Sequence, residues 1–295
     1  MSENTLSSYT NGVRRFEAFR LNRGFPTSWP PTTEHIVLFL SALSLQGLSS
    51  NTARQYKCAI SCQCKLLGHT DTTDSYITNK VLHGMQKSKA TASTRLPITA
   101  NRLSNILRVL PVTCTNMYES SLFTAAFTTA FFGFLRVGEL TVTSPFLRER
   151  VVSIDDVLLD RPTGSLHLRI RGSKTDQDGQ GHVIKMHKTG KPLCPILSFE
   201  QFIIRRPNLQ GPLFCHLNGT PVTRTQFSLV LKKALSSLQI DYGKYNTHSF
   251  RIGAATTAAM VGYTTEEIMA AGRWKSKAVE SYVKISQAHE MPKLN

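Results

Sequence analysis

Apolar residues recur every three or four positions from residue 4 to about residue 90, which is the spacing of amphipathic helices. The first predicted helix ends near Gly24, and the second follows two prolines at 30 and 31 with a threonine as its N-cap. A third helix is predicted over residues 49–68 and a fourth around residues 78–90. Both carry Lys and Arg beside polar groups suited to phosphate contacts, so the pattern predicts a small basic helical domain.

The stretch from residue 88 to residue 97 differs from its surroundings. Its sequence, SKATASTRLP, has no apolar periodicity and is rich in small, polar and basic residues, which is typical of a linker between domains. We therefore predict two domains, one over residues 1–92 and the other over residues 93–295.

The second predicted domain begins with two helices, at residues 101–110 and 121–141, and the latter is apolar enough to cross a core. The period then changes to short, β-branched or alternating segments separated by turns, at residues 151–160, 165–176 and 181–188. These segments predict a three-stranded antiparallel sheet. Helices return after Pro195. The expected fold class is mainly α with a small antiparallel β-sheet (α+β).

The charge of the chain narrows the choice of partner. Thirty-five Lys and Arg residues against 19 Asp and Glu residues give a formal net charge of +16, which indicates a polyanionic partner. The positive residues are spread along the chain and form no polybasic block beside an apolar helix, so nucleic acid is favoured over an anionic membrane. The apolar stretch at residues 121–135 is too short to span a bilayer.

Several common kinds of active site are missing from the sequence. It contains no GxxxxGK[ST] loop, no GxGxxG at a helix start, no HExxH and no paired acidic cluster for two metals. The six cysteines are irregularly spaced and form no zinc motif, so we expect reduced thiols in an intracellular protein. Nucleotide-driven and two-metal nuclease chemistry lose support, and no cofactor or metal is expected.

Six side chains could carry chemistry instead. His248 and Arg251 are three residues apart near a predicted helix start, where one phosphate could meet both with help from the helix N-terminus. Arg136 follows an apolar run and precedes Glu139 by three residues, so we do not expect it on the surface. A buried arginine needs an anionic partner. The other candidates are a lysine in the predicted hairpin and two aromatic residues on a late helix: Lys174, Trp274 and Tyr282. Taken singly, each is more often a structural residue.

The order of these residues is more specific than any one of them. An Arg, a hairpin Lys, an HxxR pair, a Trp and a Tyr, in a basic chain behind a helical domain, resemble the tyrosine recombinases of the phage integrase family over nearly the whole chain. The segments RVGEL, GSKTDQDGQG, THSFRIGAATTAA and GRWKS are most similar to recombinases of eukaryotic mobile elements, of the DIRS type or Crypton. The resemblance implies a helical SAM-like core-binding domain that binds DNA, followed by a tyrosine-recombinase catalytic domain.

The resemblance also implies a mechanism. Arg136 and Arg251 would clamp the non-bridging oxygens of a phosphodiester, where negative charge grows in the transition state. Tyr282 would attack phosphorus and form a 3′-phosphotyrosyl link, which stores the bond energy and removes any need for ATP.

Proton transfer and support fall to the other members of the set. Lys174 would protonate the leaving 5′-hydroxyl, and His248 would accept or share the tyrosine proton. Trp274 would donate its indole N–H to the phosphate, and Glu139 would orient and neutralise its neighbours. Double-stranded DNA is the implied partner, with a tetramer on two duplexes as the implied assembly. The eukaryotic-looking motifs and the basic charge indicate a nuclear protein.

Two features depart from the family pattern. The interval from Trp274 to Tyr282 is one residue shorter than in many bacterial members. Residues 286–295 are a weak candidate for the tail helix that many relatives exchange between protomers. The sequence therefore gives little support to assembly by tail exchange.

Two other interpretations stay open. The chain could be a DNA-binding protein descended from a recombinase, although such a protein has no physical need for all six side chains. It could also be a type IB topoisomerase, which makes the same tyrosyl link but religates the same strand. The compact size and the small N-terminal helical domain fit a recombinase better.

Overall fold

The structure is a computed structural model of the 295-residue chain and describes residues 3–88, 95–143, 151–171, 181–276, 279–280 and 282–283. The chain divides into two compact units, Met1–Ser93 and Thr94–Asn295. Within the described residues, the first unit contains four α-helices, and the second contains seven α-helices and a three-stranded sheet. The predicted class, mainly α with a small antiparallel sheet, is confirmed.

The first unit consists of the helices that the sequence predicts: α1 (Glu3–Asn22), α2 (Thr33–Leu45), α3 (Ser50–Leu66) and α4 (Tyr76–Ser88). The side chain of Thr32 accepts a hydrogen bond from the backbone N–H of His35 at the start of α2, and Ser49 does the same for Thr52 in α3. These N-caps satisfy backbone donors that a first helical turn leaves without a partner. The helices pack around a core that includes Phe16, Ile36, Phe39, Leu40 and Ile60.

Arg20 is fully buried and joins α1 to the loop that leads into α2. Its guanidinium donates to the backbone carbonyls of Pro26, Thr27 and Ser28 at 3.2, 2.9 and 2.8 Å. The same group lies 5.2 Å from the ring centre of Trp29. A buried cation needs acceptors of this kind, so Arg20 fixes the course of the loop.

The helices of the second unit are α5 (Ala100–Thr113), α6 (Met117–Phe132), α7 (Val137–Leu140), α8 (Pro195–Ile203), α9 (Arg224–Ser237), α10 (Ser249–Met260) and α11 (Thr265–Gly272). Its sheet is antiparallel in the order β1 (Val157–Asp160), β2 (Ser165–Ile170), β3 (His182–His187). Leu166 of β2 lies opposite Leu159 of β1 and Met186 of β3. Leu166 and Met186 are buried, because alternate residues of a strand point to one face.

Helix α6 crosses the core of the second unit, as its apolar sequence predicts. Eleven of its residues are buried. Phe127 packs against Phe227 of α9 and Phe250 of α10, with ring centres 4.8 and 5.0 Å apart. Since Phe250 lies between His248 and Arg251 in the sequence, this core contact fixes the position of both residues.

The prediction of one helix over residues 121–141 is wrong in its second half. Helix α6 ends before Gly133, which is its C-cap, and Phe134 then adopts left-handed backbone with a φ of 49°. The chain turns and begins the short helix α7. Leu135 and Val137 on the far side of the turn are buried, so the apolar pattern continues through the break and gives no sign of it.

The first predicted strand is also shorter than expected. Ile154–Asp156 form a 3-10 turn, closed by reciprocal hydrogen bonds between Ser153 and Asp156, and β1 begins only after this turn. The predicted hairpin between the second and third strands falls largely on residues 172–180, which lie outside the described residues.

The segment before α5 lies along the start of α10. The N–H of Leu96 donates to the carbonyl of Lys244 at 2.9 Å, and that of Ile98 donates to the carbonyl of Ser249 at 3.0 Å. A Cβ atom on Gly253 would lie 1.8 Å from the carbonyl oxygen of Ile98. The glycine in the THSFRIGAA segment therefore permits this close approach of backbone to helix.

Two expectations about the kind of protein concern membranes and thiols. No helix in the described part of the chain is long and apolar enough to cross a membrane. The six cysteines all lie in the described residues and form no disulfide there.

Candidate active site

Arg136 and Glu139 form one side of the site at the N-terminus of α7. The backbone N–H of Arg136 donates to the Glu139 carboxylate at 2.9 Å, and its Nη1 contacts that carboxylate at 3.4 Å. Arg273, beyond the end of α11, holds the same carboxylate through both Nη atoms at 3.1 and 3.5 Å. The buried Glu139 is thus shared between two arginines, which offsets the cost of its burial. The Arg136 side chain is 30% exposed, so the expected interior location is only partly correct.

Arg251 is the most deeply buried arginine of the site, at 1% exposure. Its guanidinium donates to the backbone carbonyls of Phe134 and Gly272. It also lies 4.1 Å from the ring centre of Trp274, as a cation–π contact. Burial, with help from neighbouring arginine charges, lowers the pKa of Arg251 to about 10, so this side chain is a cation at neutral pH.

The phenol of Tyr282 meets the imidazole of His248. Nε2 of His248 and the hydroxyl oxygen of Tyr282 are 2.8 Å apart, a normal hydrogen-bond distance. Burial lowers the pKa of His248, and surrounding cations lower it further, from Arg251, Arg95, Arg136 and Arg224. The imidazole is therefore neutral at pH 7, and with its proton on Nδ1 it can accept the phenolic proton at Nε2.

The backbone around Tyr282 is held by α10 and α11 of the same chain. Thr256 of α10 donates from Oγ1 to the carbonyl of Tyr282 at 3.2 Å. Val279 is fully buried in a small apolar cluster with residues of both helices. The ring of Trp274 meets that of Tyr282 edge-on, with 5.2 Å between their centres. These contacts fix the phenol beside His248.

The sequence predicted that Trp274 and Tyr282 lie on one late helix. This prediction is wrong. Helix α11 ends at Gly272, and Arg273 follows with left-handed backbone at a φ of 57°. Tyr282 lies in a turn after a short 3-10 stretch at 279–280. A Cβ atom on Gly272 would lie 1.5 Å from the Trp274 ring, so glycine at the helix end allows the indole to fold back over it.

The charges of the site favour an anionic ligand. The guanidiniums of Arg136, Arg251 and Arg273 and the carboxylate of Glu139 together carry a net charge of +2, and His248 is neutral. Guanidinium groups bind phosphate and carboxylate oxygens with particular strength. The described residues contain no group of three or more His, Cys, Asp and Glu side chains placed to hold a metal ion.

Comparison with known proteins identifies the fold. No protein-family model and no curated protein matches the chain. The Tn1549 transposon integrase in complex with circular intermediate DNA is similar, with a TM-score of 0.67 and 15% identity over 98% of this chain and 92% of that one. The XerH site-specific recombinase in a post-cleavage complex with palindromic difH substrate has a TM-score of 0.67 and 18% identity, over 94% of this chain and 75% of that one. A lambda integrase dimer bound to a COC′ core site has a TM-score of 0.66 and 16% identity, over 100% of this chain and 75% of that one. The chain has the fold of the tyrosine recombinases.

Within this tyrosine-recombinase fold, the site brings together five of the six predicted residues: Arg136, His248, Arg251, Trp274 and Tyr282. Glu139 lies in the predicted supporting place, between arginines. The sixth predicted residue, Lys174, is outside the described residues, and its place in the hairpin stays a prediction.

Sequence reasoning missed three arginines near the site. Arg273 binds Glu139, and its only sign in the sequence is its position between the glycine and the tryptophan of GRWKS. Arg95 and Arg224 add positive charge around His248. Arg224 is an exposed residue at the start of α9, where no local motif distinguishes it from any other surface arginine.

Proposed function

We propose that this chain is a site-specific DNA recombinase that cleaves and rejoins strands through a 3′-phosphotyrosyl intermediate on Tyr282. The observation that carries the proposal is the 2.8 Å contact between the Tyr282 hydroxyl and Nε2 of His248, beside the cationic cluster. A nucleophile, a base and groups that bind an anion are what phosphoryl transfer to a side chain requires. The fold shared with integrases and recombinases supports the proposal.

In the cleavage step, the phenolic oxygen of Tyr282 bonds to phosphorus while the bond from phosphorus to the 5′ oxygen breaks. The neutral His248 accepts the phenolic proton at Nε2. Arg136 and Arg251 stabilise the negative charge that grows on the non-bridging oxygens. Lys174 returns a proton to the leaving 5′ oxygen, a role that rests on the family resemblance.

Rejoining reverses these bond changes. A 5′-hydroxyl from a second DNA strand attacks the phosphotyrosine and gives its proton to the neutral Lys174, and Tyr282 leaves as a phenol that recovers its proton from His248. One phosphoester forms for each one broken, so the cycle needs no ATP. Trp274 packs against both Arg251 and Tyr282, where its indole N–H serves the phosphate and its ring excludes water.

We also infer a biological setting from the charge and from the similar proteins. The partner is double-stranded DNA, in keeping with the net charge of +16. A transposon integrase is among the similar structures, which supports integration or excision of a mobile element. A tetramer on two duplexes, an element of the DIRS or Crypton type and a nuclear location follow from the sequence resemblance.

The test is an SDS gel of wild-type protein incubated with a pool of nicked random duplexes. A nick beside the cleaved phosphate lets the leaving fragment diffuse away and traps the covalent product. Wild type should give a band of protein joined to DNA, and Tyr282→Phe should give none while still binding DNA. Tyr263→Phe is the matched control, because Tyr263 is 55% exposed and outside the site. A covalent band from Tyr282→Phe would overturn the assignment of the nucleophile.

The alternatives separate in the same series of experiments. A type IB topoisomerase would give the covalent band and would also relax supercoiled plasmid as a monomer, whereas recombination needs two sites and an assembly. A DNA-binding protein without turnover would retain DNA in a native gel and give no covalent band.

A further inference from the structure

Arg273 ends α11 in a backbone conformation that favours glycine. Its φ and ψ are 57° and 43°, in the left-handed region. Within the described residues, only Phe134 and Gln239 are the other non-glycine residues with positive φ. Helices commonly place glycine at this position because side chains there meet a steric cost. An arginine held in strained backbone, with its side chain paired to Glu139 of the site, suggests that this side chain is needed there.

The Arg273 side chain is the main partner of Glu139. Its two Nη atoms contact both carboxylate oxygens at 3.1 and 3.5 Å, and the two side chains are only 12% and 7% exposed. The Arg136 side chain reaches the carboxylate through one contact at 3.4 Å. Arg273 therefore carries most of the pairing, and the guanidinium of Arg136 is only lightly engaged.

The Nε–H group of Arg273 is buried and donates to no other atom in the part of the chain that the structure describes. A buried N–H group without an acceptor costs free energy. Among the described residues, the Glu139 carboxylate is the hydrogen-bonding partner of the Arg273 side chain, which lies there despite its incomplete hydrogen bonding. Its pairing with Glu139 is the feature that a role must explain.

Resting on the proposed recombinase function, we propose that Arg273 is a positioning residue for the phosphate clamp. It neutralises Glu139, so that the guanidinium of Arg136 stays available to a phosphate oxygen. Without Arg273, a nearly buried carboxylate would have one cationic side chain to compensate it, and that partner would be drawn fully onto it. The site would then lose one of its two net positive charges together with one arm of the clamp.

The decisive variant is Arg273→Gly, because glycine suits the left-handed backbone and removes the guanidinium with little disturbance to the fold. We expect the rate of covalent complex formation at saturating DNA to fall by on the order of tenfold or more. This loss is smaller than the loss expected when a donor that contacts the reacting group itself is removed. The DNA is the duplex trapped by wild type. DNA affinity should stay within about twofold, since the interface is dominated by other phosphate contacts.

Gln239→Gly is the matched control. Gln239 also has a φ of 57° after a helix, α9, and it is exposed. The control makes the same backbone change away from the site, so its covalent rate should equal that of wild type. Equal unfolding temperatures of the two glycine variants would show that a difference in rate is not a difference in folding.

Removal of the Glu139 carboxylate distinguishes a positioning role of Arg273 from a purely structural one, and the quantity measured is the covalent rate. In the double variant Glu139→Gln/Arg273→Gly, no negative charge remains to capture Arg136, so the covalent rate should recover toward that of Glu139→Gln alone. If Arg273 served only to hold α11 against α7, the second change would slow the reaction further or leave it unchanged. The four proteins form a double-mutant cycle.

The outcomes separate the inference from the function on which it rests. Absence of covalent product from wild type overturns the proposed function and this inference with it. Covalent product from wild type, together with an Arg273→Gly rate within twofold of it or no recovery in the double variant, overturns the inference alone.

Discussion

Among the single residues of the site, Glu139 decides how the positive charges are shared. It accepts hydrogen bonds from Arg136 and Arg273, while Arg251 uses backbone carbonyls as its acceptors. The residue types suit phosphoryl transfer, and their order along the chain could be predicted through the resemblance to tyrosine recombinases. The pair of Glu139 and Arg273 could not be predicted, since the two residues are 134 positions apart and no periodicity relates them.

The pKa of His248 gives a prediction for the pH dependence of cleavage. Burial and four arginines lower this pKa below the ordinary value of 6.5, so the imidazole stays neutral, and able to accept a proton, as pH falls through 6.5. At subsaturating DNA, which reports the free protein, the covalent rate should be level from pH 7.5 to pH 6.5 and decline only below that range. Single-turnover rates across this range provide the measurement.

A matched variant tests the cause of that shift. Arg224→Gln removes one of the cations that lower the pKa of His248, so its rate should begin to decline at a higher pH than in wild type. A decline already centred above pH 6.5 in wild type would contradict a neutral, buried base.

At the scale of secondary-structure elements, two helix ends place the reactive groups. Phe134 after α6 and Arg273 after α11 both adopt left-handed backbone. The carbonyls of Phe134 and Gly272 at these ends accept hydrogen bonds from Arg251. Periodicity predicted the helices but not these ends, because the left-handed residues are not glycines and the apolar pattern runs through the first break.

The segment that carries Tyr282 should act on a phosphate bound by its own chain. Thr256 and the buried Val279 hold this segment against the chain's own α10 and α11. A mixture of Tyr282→Phe and Arg136→Gln proteins should therefore give no covalent product beyond the sum of the two alone. A strong band from the mixture, in an SDS gel, would mean that one chain delivers its tyrosine to the site of another.

The loop between α1 and α2 should depend on Arg20. Arg20→Met keeps an apolar stem beside Trp29 and removes three hydrogen bonds to backbone carbonyls, so the first unit should lose about 2 kcal/mol of stability. Urea unfolding followed by the fluorescence of Trp29, in a Trp274→Phe background, reports this unit because the chain has two tryptophans. Arg23→Met, at an exposed position in the turn just after the same helix, should change the midpoint little.

At the scale of the whole molecule, the periodicity of apolar residues predicted the fold class. The change of period after α7 predicted the sheet between two sets of helices. The polyanionic partner indicated by 35 basic against 19 acidic residues stays a prediction. The alternation of apolar residues in β2 also matches the observed burial, since Leu166, Leu168 and Ile170 are buried. Because periodicity is summed over many residues, the fold class could be predicted despite local errors such as the missed break after α6.

The net charge of +16 predicts a steep dependence of DNA affinity on salt. Each phosphate contact contributes about −0.9 to the slope of log affinity against log salt, so a protein with several contacts should lose affinity by about a thousandfold between 50 and 200 mM salt. Tyr282→Phe should show the same slope as wild type, because one hydroxyl adds no charge. A nearly flat dependence, measured by native gel or fluorescence anisotropy, would contradict an interface dominated by phosphate contacts.

The central claim is that Tyr282 becomes joined to a 3′ phosphate of DNA, and the most direct measurement is the mass of the peptide that carries the trapped DNA. After nuclease and protease digestion of the covalent band, we predict a peptide containing Tyr282 with a nucleotide attached through its 3′ phosphate. A nucleotide on any other residue, or attached through a 5′ phosphate, would contradict the account.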